Sequence, residues 1–211
     1  PPEMPPALAA KKIDAFTVAE PFNAMGELKA GGKVMRFTGD IWKNHPCCVV
    51  CMHEEKTVEK PKWTQKVMNA VVRASVYASQ NKAEVAQLLS KDGKKYFPMP
   101  ASVVKRAMTL YGVDDYVDTG ANRHAAEWKN GRIDFQPWPY PSATKFMVDS
   151  MNKTVVGGDK SFLKGLNRDE VASDMVDYNY VKKSCEKFPE WKLDPSVNES
   201  DPYEREEVIS I

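Results

Sequence analysis

The sequence predicts a helix-rich α/β fold, and three observations carry that prediction. Short apolar segments near the start fall in the order strand, helix, strand. A long amphipathic run follows over residues 64–79, and helical signals dominate from there to residue 188. The composition, 42% hydrophobic and 28% charged over 211 residues, is that of a globular chain with room for one large domain or two small ones.

Residues 5–11 predict a short helix, with Pro5 or Pro6 at its first positions and Ala7 to Ala10 as good helix formers. Ile13 to Val18 reads as a strand, apolar on both faces as in a sheet covered by helices. It stops at Glu20-Pro21, because proline lacks a donor and disfavours helical geometry in the residue before it. Glu20 is therefore expected at a strand tip. Asn23 to Lys29 is a helical return closed by Gly31-Gly32, and Val34 to Phe37 is a second short strand. Residues 39–46 form a loop carrying Trp42 and His45, and Cys47 to Met52 is the next strand.

Within the long helix, Val67, Val71, Ala74 and Ala78, with Met68, Val72 and Val76 beside them, give one broad apolar face. Asn81 caps a helix running to Leu89, with Glu84 completing a capping box. Ser102 to Tyr111 is a further helix, ended by Gly112. Residues 113–141 are mixed, and Phe135 to Tyr140 is extended between prolines. Ser142 to Met151 resumes a helix, with Met147 and Met151 as core contacts. Gly157-Gly158 breaks the chain, helix runs from Arg168 to Tyr180, and Val181 to Phe188 continues or restarts it. From Pro189 onward there are seven acidic and two basic residues, a solvated acidic tail. A complete α/β domain should show more strands, so the pattern looks like the second half of one.

Thirty basic and 29 acidic side chains leave a net charge of +1, which gives no global reason to expect nucleic acid as a partner. There is no apolar run of 18 residues and no visible signal peptide. The chain opens Pro1-Pro2-Glu3-Met4-Pro5-Pro6 without an initiator Met, which points to processing or to a piece of a larger product. Four cysteines are too few for a disulfide scaffold.

The stretch from Pro5-Pro6 through Ile13-Asp14-Ala15-Phe16 to Glu20-Pro21-Phe22-Asn23 resembles a segment of the periplasmic substrate-binding proteins of the nitrate/sulfonate/bicarbonate ABC transporter family. Asp40-Ile41-Trp42-Lys43-Asn44-His45-Pro46 and the Glu59-Lys60-Pro61 helix start resemble the same family, and Pro139 to Met147 does so more loosely. The likeness is good over residues 1–95 and weaker to about 188, nearer the nitrate and bicarbonate binders than the sulfonate binders. It implies the C-terminal portion of a two-lobed periplasmic-binding-protein type II fold. Residues 1–45 would end the second lobe and carry a cleft segment, residues 46–188 would return to the first lobe, and residues 189–211 would be the acidic tail. It further implies a solute-binding component of an ABC importer, with its signal peptide removed. Such a component captures a small oxyanion such as nitrate, nitrite or bicarbonate between the lobes and delivers it to the permease subunits. The expected location is periplasmic or extracytoplasmic, with membrane association. The N-terminal half would be supplied by a second chain or a precursor.

By that resemblance Glu20 lines the cleft and is the candidate metal contact. Calcium needs several oxygen ligands, so one glutamate cannot hold it alone, and a bare anion beside a carboxylate needs a cation. The bland alternative for Glu20 is a carboxylate capping the helix that follows. Thr17 could line the same strand tip. Asn23 serves equally as an oxyanion donor or a helix cap. Phe22 stands where the family often has tryptophan and packs at the hinge or meets ligand. His45 is a candidate anion donor, with an extended turn before Pro46 as its bland reading.

Two other functional classes stay open. Cys47, Cys48, Cys51 and His53 offer a thiol redox or zinc set, although alternation along a strand separates Cys48 from Cys51, and small residues packed in a buried strand explain them as well. The same scaffold could bind a sulfonate or a thiamine-precursor heterocycle. A former binding lobe could also act as an assembly partner, its cleft filled by its own side chains. Lys91, Lys94, Lys95, Lys105 and Arg106 form a basic patch, read as a solvated face or a docking surface. No catalytic motif appears, so an enzyme is not expected.

Overall fold

The computed structural model describes residues 1–109, 114–126, 131–155 and 157–210. Two compact units emerge. The first comprises Pro1–Cys47, Tyr77–Phe135 and Ile209–Ile211; the second comprises Cys48–Val76 and Gln136–Val208.

The first unit contains α1 (Met4–Ala9), α2 (Phe22–Ala30) and α3 (Thr38–Ile41), then α6 (Lys82–Leu89), α7 (Ala101–Thr109) and α8 (Asp114–Asp118). Prolines in the first turn of α1 cost nothing, since those N–H groups have no partner inside a helix. α2 ends at Gly31, whose φ of +67° is the left-handed conformation that glycine adopts freely. The N–H of Gly32 then returns to the Gly26 carbonyl at 3.0 Å. Met99, Val103, Val104, Ala107 and Met108 form the core together with Ala24, Val85 and Ala86.

The second unit contains α4 (Glu54–Glu59), α9 (Pro141–Lys153), α10 (Arg168–Asp174) and α11 (Tyr178–Lys187). Its core gathers Val72, Trp138, Tyr140, Val181, Cys185 and Trp191. Trp138 packs edge-on to Tyr203 at 4.7 Å between ring centroids and donates from Nε1 to the Tyr203 carbonyl at 2.9 Å. Arg205 lies over the Tyr140 ring and pairs with Glu207, which also accepts from Ser142. The helix α5 (Pro61–Gln80) contributes to both units.

The α/β prediction fails. Among the described residues the regular structure is helical, and β-pairing is confined to one isolated antiparallel bridge between Trp42 and Ile209. A strand exists only through a ladder partner. Ile13 to Val18, Val34 to Phe37 and Cys47 to Met52 find none. None of the residues 13–19 is buried, and Cys48, Val49, Val50 and Cys51 are exposed in succession, the reverse of a strand between layers. The periplasmic-binding-protein type II architecture implied by the family resemblance is therefore absent. With it goes the structural basis for the inter-lobe cleft, for capture of a small oxyanion such as nitrate or bicarbonate in that cleft, and for a solute-binding protein that docks on ABC permease subunits and is completed by a missing N-terminal half.

Several local expectations shift as well. Along α5 Thr64, Val72 and Ala78 are buried, Val67, Met68, Val71 and Val76 are half-buried beside them, and Ala74, expected on the apolar face, is exposed. Asn81 does not cap α6 with its side chain; its Nδ2 donates to the Tyr77 carbonyl, and Glu84 accepts from the Tyr77 hydroxyl at 2.7 Å. Met147 and Met151 are exposed, while Ala143 and Val148 carry the buried face of α9. The predicted helix from Arg168 divides near Met175, because Asp177 starts a new helix by accepting from the Asn179 N–H at 3.0 Å. The acidic tail is anchored by Trp191, which is 2% exposed. The expected helix end at Tyr111-Gly112 lies outside the described residues.

Candidate functional site: a buried carboxylate–arginine cluster

Glu20 precedes α2, and Pro21 sets the entry of the chain into that helix. Its Oε2 accepts from the Ala24 N–H at 3.1 Å, so it satisfies one of the open donors of the first turn. Seven residues on, two helical turns, Glu27 lies on the same face. α7 brings Arg106, whose Nη2 donates to Glu27 Oε1 at 2.9 Å. α8 brings Tyr116, whose hydroxyl donates to the same oxygen at 2.5 Å.

Arg132 closes the set. Its Nε donates to Glu20 Oε1, and its Nη1 donates to Glu27 Oε2 at 2.6 Å and to the Tyr116 hydroxyl at 2.9 Å. The guanidinium lies over the Phe37 ring at 5.0 Å. The Arg132 side chain is 1% exposed, against 10% for Glu20 and 8% for Glu27. Two carboxylates face two guanidiniums, so the cluster is neutral as a whole. Arg132 Nη2 and Arg106 Nε are buried without a hydrogen-bond partner.

The two carboxylates respond in opposite directions. Burial pushes Glu20 above the usual carboxylate range, and Arg132 and the Ala24 N–H only partly offset it. Burial would raise Glu27 too, but hydrogen bonds from Arg106 and Tyr116 and the charge of Arg132 outweigh it, so Glu27 is held below its ordinary value. Burial, then donation to Glu27, raises the Tyr116 phenol.

A second node lies nearby in sequence. Asp40 is fully buried and accepts from the Arg123 and His124 N–H groups at 3.0 and 2.8 Å. Arg36, one turn earlier, pairs with it at 2.9 Å. These contacts tie residues 121–124 to α3.

Of the candidate residues, only Glu20 and Phe22 come together. Both line a cavity of about 390 Å3 with Pro21, Met25, Phe97 and Met99. Phe22 also packs against the first core. Thr17 is exposed, and Asn23 turns away to donate to the Val18 carbonyl at 2.5 Å. His45 is exposed and stacks edge-on against Trp42 at 5.2 Å. The capping role of Glu20 is legible in the sequence, whereas Glu27, Tyr116 and Arg132 carry no motif there; the seven-residue spacing from Glu20 to Glu27 is the available signal.

Cys47, Cys48 and Cys51 are exposed thiols, not packed in a buried strand, and Cys185 is a buried thiol. Among the described residues no group of three or more His, Cys, Asp or Glu side chains could hold a metal ion, the set Cys47, Cys48, Cys51 and His53 included. Among the same residues, no helix is long and apolar enough to cross a membrane.

The sequence has relatives among transport proteins. A model of the NMT1-like family matches residues 1–90, less than half of the chain. The nitrate/nitrite binding protein NrtA of Nostoc sp. is 28% identical over 145 residues, covering 67% of this chain and 32% of the relative. NrtA of Synechococcus elongatus is 31% identical over 120 residues, covering 56% of this chain and 26% of the relative. The bicarbonate transport ATP-binding protein CmpC of Synechocystis sp. is 27% identical over 92 residues, covering 43% and 14%. The chain thus spans about a third or less of the length of the curated relatives it matches. No solved structure matches it. All of these relatives are named for binding or transport. What the chain has is a distant likeness in sequence to nitrate and bicarbonate transport proteins, while its described residues form helices and no sheet.

Proposed function

We propose that the chain is a non-catalytic structural module of a transport-associated protein, and that the cluster around Arg132 is an internal clasp. One observation carries this reading: both oxygens of Glu20 are engaged from within the chain, one by Arg132 and one by the Ala24 N–H. A carboxylate held this way does not call for an external cation. Glu20 and Glu27 are matched by Arg132 and Arg106, so no net positive charge is left over to draw a bare anion. The clasp joins the start and middle of α2 to α7, α8 and Arg132, segments that are up to 112 residues apart in sequence. A role in holding segments together follows from that reach. The names of the relatives support the transport setting.

The test is urea unfolding of the wild-type chain and of Glu20→Gln in sodium chloride, sodium nitrate and sodium bicarbonate at matched ionic strength. A structural clasp gives the same midpoint in all three salts. Saturable stabilisation by nitrate or bicarbonate that Glu20→Gln abolishes would identify a solute site and overturn the reading. A ligand at a hundred times its Kd would raise stability by about 2.7 kcal/mol, well within detection.

A further inference from the structure

Residues 91–98, between α6 and α7, are all exposed, yet the backbone of the segment is tightly built. Lys91 N donates to the Met99 carbonyl at 2.9 Å, Lys94 N to Leu88 at 2.7 Å, Lys95 N to Ser90 at 2.9 Å and Phe97 N to Leu89 at 2.8 Å. Gly93 sits so close to the end of α6 that a Cβ there would lie 2.2 Å from the Gln87 carbonyl oxygen. Lys95 is held at a φ of +63°, a conformation that side chains rarely adopt. This surface segment is therefore a fixed display.

What it displays is selective. Its one acidic residue, Asp92, is turned onto the first turn of α7, where its Oδ2 accepts from the Ala101 N–H at 2.8 Å. Three lysines remain, Lys91, Lys94 and Lys95, and none of their ammonium groups makes a hydrogen bond or ion pair among the described residues. Beside them stand Tyr96, 71% exposed, and Leu88, 43% exposed.

We propose that this loop is a peripheral docking element for an anionic lipid surface. Charge complementarity selects the partner: lysines gain close to an anionic leaflet. A tyrosine suits the headgroup level, with its apolar ring inward and its hydroxyl in water, and leucine suits the boundary with the acyl chains. An acidic protein would reward the lysines but not the outward-facing Tyr96 and Leu88. Nucleic acid would call for a wider basic field than a chain of net charge +1 carries. The element adds membrane contact without a spanning helix, and it does not depend on the role of the Arg132 cluster.

The experiment is co-sedimentation of the full chain with phosphatidylcholine vesicles and with vesicles containing phosphatidylglycerol, at low and high salt. The wild type should pellet with the anionic vesicles, much less with the neutral ones, and lose binding as salt rises. Lys94→Glu/Lys95→Glu should cut binding about tenfold or more, since each lysine near the surface contributes. Tyr96→Ser should also weaken it, at unchanged charge. Lys153→Glu/Lys164→Glu, which changes the charge equally elsewhere, should bind like the wild type. Circular dichroism and thermal melting confirm that each variant is folded. Equal binding to neutral vesicles, no binding to anionic ones, or an equal loss in the Lys153/Lys164 variant would overturn the proposal. Loss of binding to soluble polyglutamate alone, with vesicle binding intact in the loop variants, would assign the loop to an acidic protein and overturn it too.

Discussion

Replacing Arg132 by methionine keeps most of the side-chain volume and removes the charge. It deletes the contacts to Glu20, Glu27 and the Tyr116 hydroxyl at once. Glu27 keeps Arg106 and Tyr116, but Glu20 is left with only the Ala24 N–H in a site where its side chain is 10% exposed. Breaking a buried pair by removing one partner costs about 3–5 kcal/mol, because the remaining charge stays buried and uncompensated. For a chain of this size that is about 6–20 °C in melting temperature. Urea unfolding at pH 7, followed by circular dichroism, measures it. The double variant Glu20→Gln/Arg132→Met removes the stranded charge and should recover a large part of the loss. A cost for Arg132→Met below about 1 kcal/mol, or a double variant no better than the single one, would refute the view that these groups are coupled in a closed clasp.

The pH dependence should divide between the two carboxylates. The folded state holds Glu27 below its ordinary 4.5, so its contribution is present above 4.5 and disappears as pH falls through the lower folded value; Glu27→Gln should flatten the acid limb of a stability profile between pH 3 and 6. Glu20 is raised, so its ionisation costs stability as pH climbs past 4.5, and the profile of Glu20→Gln should diverge from that of the wild type in that direction. Burial pushes the Cys185 thiol up to about 12, and it is 0% exposed; iodoacetamide followed by mass spectrometry should modify Cys47, Cys48 and Cys51 quickly and Cys185 only on unfolding. Trp191→Phe should cost less than about 1.5 kcal/mol, since it also removes a buried indole N–H that has no partner, whereas Trp191→Ala should cost about 3–5 kcal/mol by urea titration.

Helix positions were legible because the signals for them are local. The prolines of α1, the glycine after α2 and the apolar spacing of α5 each act within a few residues, and each marks its element. Strands are different. Ile13 to Val18 and Cys47 to Met52 have strand composition, but composition does not supply a partner, and none lies alongside them. The family resemblance draws on Ile13 to Phe16 together with Glu20 to Asn23 and Asp40 to Pro46, and it implied a sheet core, a cleft and an oxyanion that the helical structure does not support. Glu20 stood out because proline follows it. Arg132 did not, since a lone arginine in a mixed stretch carries no pattern; its partners lie 105 and 112 residues away. Burial of a charge is a property of the assembled chain, and no window along the sequence contains it.

The bridge between Trp42 and Ile209 has a bearing on how the chain is made. The Ser210 N–H reaches the Ile41 carbonyl at 2.7 Å beside it. Numbers 42 and 209 are 167 residues apart. At about 5–20 residues per second, a ribosome needs roughly 10–30 s to travel that far. During that interval the Ile41 carbonyl waits without the Ser210 N–H, while Trp42 already has Thr38 and His45 as local partners, a window in which a chaperone has access to that edge. Synthesis speed, and not only sequence, therefore sets how long this one edge stays uncovered.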